Sequence, residues 1–194
     1  MNDGKQFETD WKDSYKGTSY FYMRLRDSAK WTQGKNTSFT PSNPCDAIQF
    51  TQPYIWLLEL KSTKGTGVSF YPNTPWEKPK GTTSNVMIKA NQVKELMEAV
   101  QKPGVIAGLI LNFRPRELKS GTTSNKTYFI HITDFVKFAI ATGKASINQN
   151  DCEQIGFKIT GEKKKIHYRY DIERFVFAGI NFCKSRGLIG GYNG

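Results

Sequence analysis

The fold is decided by the stretch NPCDAIQFTQPYIWLLELK, which spans residues 43–61. Residues 54–61 form an unbroken apolar and β-prone run that begins directly after a turn signal at Gln52-Pro53, and this run predicts a buried strand. Side chains two residues apart in a strand point to the same face, so Glu59 and Lys61 emerge side by side. Burying two charges is costly unless each has a partner, so the pair indicates a site at the end of this strand.

A second carboxylate comes from Asp46, which precedes the other half of the predicted hairpin. The hairpin connection would place Asp46 next to Glu59 and Lys61. Two acids and one amine around a single point are suited to a hard divalent cation and a phosphate group. The competing interpretation is a surface ion pair, because Glu-x-Lys is common on exposed strands.

Two predicted helices carry further candidates. Phe7, Trp11 and Tyr15 recur every four residues, which predicts an amphipathic amino-terminal helix with Glu8 at the edge of its apolar stripe. A second helix is predicted over residues 88–100, where apolar side chains follow helical spacing before Pro103-Gly104, and Gln92 flanks that stripe. From spacing alone, Glu8 is equally well a solvated helix residue and Gln92 an ordinary polar one.

The order of these motifs resembles the RecU-type Holliday-junction resolvases of the PD-(D/E)xK nuclease superfamily. The resemblance covers about residues 4–138. It rests first on a G-x-x-F-E helix (Gly4, Phe7, Glu8), a metal Asp (Asp46) and E-x-K on the next strand (Glu59, Lys61). The motifs that follow are a Ser-Phe near a Pro (Ser69, Phe70, Pro72), a helix that opens with Gln (Gln92), and a strand followed by a Tyr-x-Ile run (residues 104–113 and 128–130).

This resemblance implies a restriction-endonuclease-like α/β fold, in which helices flank a mixed β-sheet. It implies an endodeoxyribonuclease that resolves four-way DNA junctions by paired nicks as a homodimer, with Mg²⁺ as cofactor and Mn²⁺ able to substitute. Asp46, Glu59 and Gln92 would bind the metal. Lys61 would position the attacking water, and Glu8 would assist near the metal. A small member of a bacterial family also favours a phage or mobile-element origin.

Two departures from the family pattern affect these expectations. The family carries a Thr ligand two residues before the metal Asp, where this chain has Pro44. The family's long junction-entering stalk lies before the metal Asp, where residues 20–43 are short in this chain. Residues 63–85 look expanded instead and are rich in Gly and Pro, so we expect a loop that contacts DNA. The alternative is that its aromatic residues fold back over the core.

The charge of the chain favours a nucleic-acid partner. Its 28 Lys and Arg residues against 17 Asp and Glu give a net charge of +11, spread along the sequence. Such a surface attracts phosphates without reading sequence, and binding should weaken as salt is added. Candidate DNA contacts cluster around the predicted site and after a predicted strand: Lys64, Lys78, Lys80, Lys89, Arg114 and Arg116.

The rest of the chain predicts architecture, beginning with a first strand at residues 20–26 and a polar loop at residues 27–43. We expect one nuclease domain over residues 1–194, with a core at about 4–140 and a carboxyl-terminal hairpin and helix at about 146–187. The hairpin is predicted to pair residues 157–160 with 166–170 around Gly161, placing Lys163–Lys165 at its tip. Asp171 is predicted to cap the last helix.

Other features limit the class of protein. Three widely spaced cysteines predict neither disulfides nor a zinc site, and no apolar run approaches the length of a membrane span, so we expect a cytoplasmic protein. Two functional alternatives stay open. One is a PD-(D/E)xK nuclease with another DNA substrate, and the other is a junction-binding recombination protein without catalysis.

Overall fold

The computed structural model describes residues 3–25, 43–119 and 121–189, and both strands and helices are spread along these ranges. The elements are, in order, α1 (Asp3–Asp13), β1 (Phe21–Arg24), β2 (Ala47–Thr51), β3 (Tyr54–Thr63), β4 (Gly67–Ser69), α2 (Ala90–Ala99), β5 (Val105–Phe113), β6 (Glu117–Leu118), β7 (Gly121–Thr122), β8 (Lys126–His131), α3 (Ile132–Thr142), β9 (Ser146–Asn148), α4 (Gln149–Ile155), β10 (Phe157–Ile159), β11 (Gly161–Lys164), β12 (His167–Tyr170) and α5 (Ile172–Ser185).

Six of these strands form a mixed sheet in the order β1-β2-β3-β5-β8-β10. β3 and β5 run parallel and the other neighbours run antiparallel. β5 is buried from Ile106 to Phe113, as expected for an apolar strand covered on both faces. Together with the helices on the two faces, this confirms the predicted α/β fold with a mixed sheet flanked by helices.

The two faces of the sheet pack against two separate apolar cores. On β3, Trp56, Leu58 and Leu60 belong to the core beneath α1 and α5, whereas Leu57 packs against the core beneath α2 and α3. Because strand side chains alternate, Glu59 and Lys61 share the face of Leu57. The strand therefore carries its charged pair on the side where α2 lies.

Residues 63–85 are more ordered than the loop that was one expectation, and their contact with DNA stays a prediction. β4 lies within this segment and pairs with β9, and Phe70 is buried with its ring 4.9 Å from that of Phe135. Tyr71 is buried too, and Trp76 packs against the same core. The alternative interpretation, in which the aromatic residues cover the core, is the one the structure shows.

The predicted carboxyl-terminal hairpin has a different register. Residues 157–159 do not pair with 167–170 but add to the main sheet as β10 beside β8. The hairpin is instead β11 paired with β12, with Gly161 opposite Tyr170. Gly161 is thus a strand residue. The position suits glycine, because a Cβ there would come within 2.8 Å of the Tyr170 ring.

Several local predictions hold with shifted bounds. The amino-terminal helix and the Gln92 helix are present as α1 and α2, and Asp171 caps α5 by accepting a hydrogen bond from the Arg174 amide at 3.0 Å. The strand predicted at residues 20–26 is β1. The loop predicted at residues 27–43 falls almost wholly outside the described residues, and the short helix α4 had no counterpart in the sequence prediction.

The contact between α5 and the sheet gives a stability test. Trp56 is fully buried, and a Cβ at Gly179 would come within 2.7 Å of its ring. Gly179→Ala should lower the free energy of unfolding, because overpacking a rigid ring costs about 1–3 kcal/mol. That cost exceeds the gain in helix propensity of at most about 1 kcal/mol. Urea denaturation measures the change.

Asn181→Ala is the matched control, because Asn181 is an exposed residue on the same helix. There the helix propensity acts alone, and the substitution should raise the stability by a few tenths of a kcal/mol. Two substitutions with the same sign would show that Gly179 does not mark a tight contact with Trp56.

Candidate active site

The register of β2 and β3 brings Asp46 and Glu59 together. Ala47 lies opposite Leu58, so the next pair along the ladder, Asp46 and Glu59, are cross-strand neighbours on one face. The Asp46 amide donates to the Leu58 carbonyl at 3.1 Å, and the Leu60 amide donates to Oδ2 of Asp46 at 2.8 Å. The backbone of β3 thus fixes the Asp46 carboxylate in place.

Glu59 is the buried centre of the site, with no exposed surface. Its Oε1 accepts hydrogen bonds from Nζ of Lys61, at 2.5 Å, and from the Gln92 side-chain amide. Its Oε2 is buried too and has no hydrogen-bond partner in the described part of the chain. A buried carboxylate oxygen without a donor is costly, so this atom marks a place where a positive group fits.

Burial also acts on the pKa values of Glu59 and Lys61. Burial raises the pKa of Glu59 from 4.5 to about 8, Lys61 opposes this rise and Asp46 adds to it. Burial lowers the pKa of Lys61, but Glu59 and Asp46 outweigh it and hold that pKa above its usual 10.5. The single ammonium therefore does not neutralise the two carboxyl groups at the site.

Gln92 reaches the site from the first turn of α2. Its side-chain oxygen accepts a hydrogen bond from the Lys89 amide at 3.0 Å, which leaves the amide nitrogen to donate to Glu59. With both ends engaged, Gln92 holds the Glu59 carboxyl group in this orientation. The side-chain oxygen of Gln92 points to the start of α2, so Gln92 contacts the site through its side-chain nitrogen, which is a hydrogen-bond donor.

The donor set is that of a magnesium site with few protein ligands. Two adjacent carboxylates and an unpartnered buried oxygen fit a hard cation, and Mg²⁺ is usually held by one or two carboxylates with water and substrate phosphate completing its shell. Within residues 3–25, 43–119 and 121–189, no group of three or more His, Cys, Asp or Glu side chains is placed to hold a metal. The two acids that would hold such an ion are Asp46 and Glu59, which are cross-strand neighbours.

Glu8 lies near the site and is held by a residue that sequence reasoning missed. Its carboxylate forms an ion pair with Arg24 at the end of β1, and its charge contributes to the raised pKa of Lys61. The next amide, that of Leu25, donates to the Asp46 carbonyl at 2.9 Å. A sequence signal existed, because Arg24 belongs to a predicted strand next to the Asp46 segment.

The predicted DNA contacts fall into two groups. Lys64 and Arg114 follow directly after β3 and β5, where the Arg114 amide donates to the Thr63 carbonyl at 2.8 Å, and Lys89 precedes α2. Lys64 and Arg114 thus follow the carboxyl ends of two neighbouring parallel strands, and Lys89 lies three residues before Gln92. Arg116 leads into β6, and the exposed Lys78 and Lys80 lie on the connection between β4 and α2.

No protein-family model matches this chain. A relative is the SPbeta prophage-derived uncharacterized protein YotM of Bacillus subtilis (strain 168), which is 32% identical over 197 residues that cover 95% of this chain and 90% of YotM. The chain belongs to the YotM family.

A solved structure that matches is that of Archaeoglobus fulgidus Hjc, a Holliday junction resolvase from an archaeal hyperthermophile. The match covers 80% of this chain and 95% of Hjc, with a TM-score of 0.47 and 13% sequence identity. A likeness of this degree carries no information about activity. The function of this member of the YotM family has to be argued from its own side chains.

The buried carboxyl group predicts a pH dependence of stability in the absence of divalent cations. Glu59 keeps its proton up to about pH 8 in the folded chain and loses it near 4.5 when unfolded. Between these values the folded state binds more protons, so raising the pH favours unfolding, by up to about 1.4 kcal/mol per pH unit for one group. Urea denaturation in EDTA at several pH values measures this slope.

Glu59→Gln removes the titrating group and should flatten the profile across this window. Glu98→Gln, on the exposed face of α2, is the control and should leave the slope of the wild type unchanged. Parallel profiles for the wild type and Glu59→Gln would contradict a buried carboxyl group that keeps its proton.

Proposed function

We propose that this protein is a metal-dependent endodeoxyribonuclease that cuts branched DNA, with four-way junctions as its substrate. One observation carries the proposal: a fully buried Glu59, with an unpartnered oxygen, lies beside Asp46 and is contacted by Lys61. A structural ion pair does not need the second carboxylate, and a surface ion pair would not be buried. The arrangement supports binding of a divalent cation at a point that a phosphodiester can reach.

In the mechanism we propose, Asp46 and Glu59 hold the cation, which is Mg²⁺ or Mn²⁺. When bound, such an ion polarises the scissile phosphate and lowers the pKa of a bound water. Lys61 is partly exposed beside Glu59 and orients the attacking water or stabilises the charge that develops on the phosphate. Gln92 keeps Glu59 in position, and the ion pair of Glu8 with Arg24 keeps another carboxylate close by.

Two features support DNA as the substrate. The net charge is +11, and basic residues follow β3 and β5 and precede the helix that carries Gln92: Lys64, Arg114 and Lys89. Cationic side chains of this kind contact phosphates and do not read bases. The choice of four-way junctions rests on the order of motifs shared with RecU-type resolvases, and YotM's prophage origin supports a phage source for this chain.

A four-way junction has two strands to cut, so a two-fold dimer with two sites is the assembly we propose. A surface suited to self-association is an apolar face formed by Phe21, Phe50, Ile55 and Phe177, each at least 43% exposed. Phe21, Phe50 and Ile55 are successive cross-strand neighbours, and β1 is the edge strand of the sheet. Large exposed apolar faces of this kind commonly mark protein contacts.

The dimer can be tested by light scattering coupled to gel filtration. The wild type should have the mass of two chains, and Phe50→Ser should shift it towards one chain at the same concentration, because the substitution removes apolar area from the interface. Ile140→Ser, at an exposed position of α3, is the control and should not change the mass. A monomeric wild type would contradict the dimer. A dimer insensitive to Phe50→Ser would place the interface elsewhere.

The nuclease is tested on matched four-way junction, duplex and single-stranded DNA, with and without Mg²⁺. Asp46→Asn and Glu59→Gln should each lower junction cleavage by at least about 100-fold, because each removes a charge that holds the cation. Binding of the junction should be kept or improved, since repulsion of phosphate is reduced. Lys61→Ala should lower the rate strongly with little effect on metal affinity.

Glu98→Gln is the matched control, because it neutralises an exposed acid on α2 and should cleave like the wild type. Cleavage of all three DNA forms would identify a general nuclease of the same superfamily. Junction binding without cleavage would identify a recombination accessory protein. More than a few per cent of wild-type activity in both Asp46→Asn and Glu59→Gln would exclude these acids as the metal site.

A further inference from the structure

The β11–β12 hairpin is a basic arm with an apolar tip. Its two strands form a sheet of their own, and the turn between them contains Lys165, which has a positive φ of 56°, and Ile166. Ile166 is 78% exposed, more than any other large apolar residue in the described ranges. Its neighbours at the tip are Lys163, Lys164 and Lys165, and Glu162 is paired with Lys164 at 2.7 Å.

The base of this hairpin is firmly attached to α1. Oδ2 of the buried Asp10 accepts a hydrogen bond from the Tyr168 amide at 3.2 Å, and Oγ of Ser14 accepts one from the Tyr170 amide at 2.9 Å. The Arg169 guanidinium donates to the Asp13 carbonyl. The helix thus satisfies the backbone donors of β12, so the hairpin is a positioned arm whose tip extends into solvent.

These contacts also fix the direction of the arm. Tyr168 meets Asp10 and Tyr170 meets Ser14, so β12 runs alongside α1 in the same direction. The tip, which precedes β12, therefore lies towards the amino-terminal end of α1, where Gln6 contacts His167 at 2.7 Å. The hairpin is thus carried by the helix that also supplies Glu8, whose carboxylate pairs with Arg24.

A second connection joins the base of the hairpin to β5. The Asn112 side-chain amide donates to the Tyr170 hydroxyl at 3.4 Å. Arg114 follows directly after β5, and its amide donates to the Thr63 carbonyl at the end of β3. A basic residue thus follows the strand on which the base of the hairpin packs.

The tip has the composition of an element that enters DNA at a point where stacking is interrupted. Architectural proteins insert apolar side chains, isoleucine included, between base steps while cationic groups hold the adjacent phosphates. A single exposed apolar residue is ordinary on a protein surface. What distinguishes Ile166 is its place at the end of an anchored hairpin, directly after three lysines.

We propose that the β11–β12 hairpin is the branch-sensing arm of the protein: Ile166 packs against the unstacked base pairs at the branch point, and Lys163, Lys164 and Lys165 hold the phosphates on either side. This inference rests on the proposed function in taking branched DNA as the ligand. It assigns to the hairpin the role that the sequence suggested for residues 63–85, whose aromatic side chains are used in the core.

The test uses the full-length protein and a four-way junction that carries 2-aminopurine at the branch, in Ca²⁺ or EDTA so that no cleavage is needed. Wild-type binding should raise the fluorescence of the probe as its stacking is lost. Ile166→Ser should remove this rise and weaken junction binding at least about five-fold, while duplex affinity stays within about two-fold. Ile166→Leu should restore both signals.

Two controls separate the roles of the tip residues. Ile140→Ser removes an exposed isoleucine from α3 and should leave fluorescence, junction affinity and duplex affinity unchanged. The triple substitution Lys163→Ala, Lys164→Ala and Lys165→Ala should weaken junction and duplex binding alike, and it should reduce the slope of log affinity against log salt by up to about 0.9 per lysine. Unchanged melting temperatures show that each variant is folded.

If Ile166→Ser keeps the wild-type fluorescence rise and junction affinity, the branch-sensing role of the hairpin is overturned, even if the protein cleaves junctions as proposed. A protein that shows the Ile166-dependent signals but does not cleave in Mg²⁺ would overturn the nuclease and support the arm. A protein that binds no branched DNA would overturn both.

Discussion

The site depends on the burial of the Glu59 carboxyl group within a strand that has an apolar core on each face. The β2–β3 register places Asp46 beside it, and a shift of one residue would move Asp46 to the opposite face. Lys61 and Gln92 satisfy one oxygen of Glu59 and leave the other without a partner. This arrangement is costly for the free protein, and a cation bound beside Glu59 would offset that cost.

The two ends of the described chain meet to support this site. Trp11 of α1 packs against Tyr170 and Phe175, with ring centroids 5.2 and 5.3 Å apart. The same helix turns Glu8 towards Arg24 and anchors the β11–β12 hairpin through Asp10. One amphipathic helix thus contacts both Arg24, through Glu8, and the β11–β12 hairpin, through Asp10.

The segment between β3 and α2 has the composition of a projecting loop but packs into the core. Its length and its Gly and Pro content are typical of a projecting loop, but Phe70 packs against Phe135 and Phe138 in the core. Aromatic residues bury large apolar areas, so folding inward is favoured wherever a pocket is available. The β11–β12 hairpin, by contrast, is an extended element with exposed lysines at its tip.

The sequence by itself determined β3, β5, α2 and the cap of α5, because periodicity and capping are local signals. It also determined that Glu59 and Lys61 share a face, since strand geometry requires this. The tertiary structure alone decided that Arg24 pairs with Glu8, that Gln92 contacts Glu59, and that β10 joins β8. Packing decides which residues far apart in the chain come into contact. Gly161 is typical of a turn in the sequence, yet it lies in a strand, where the lack of a side chain makes room for the Tyr170 ring.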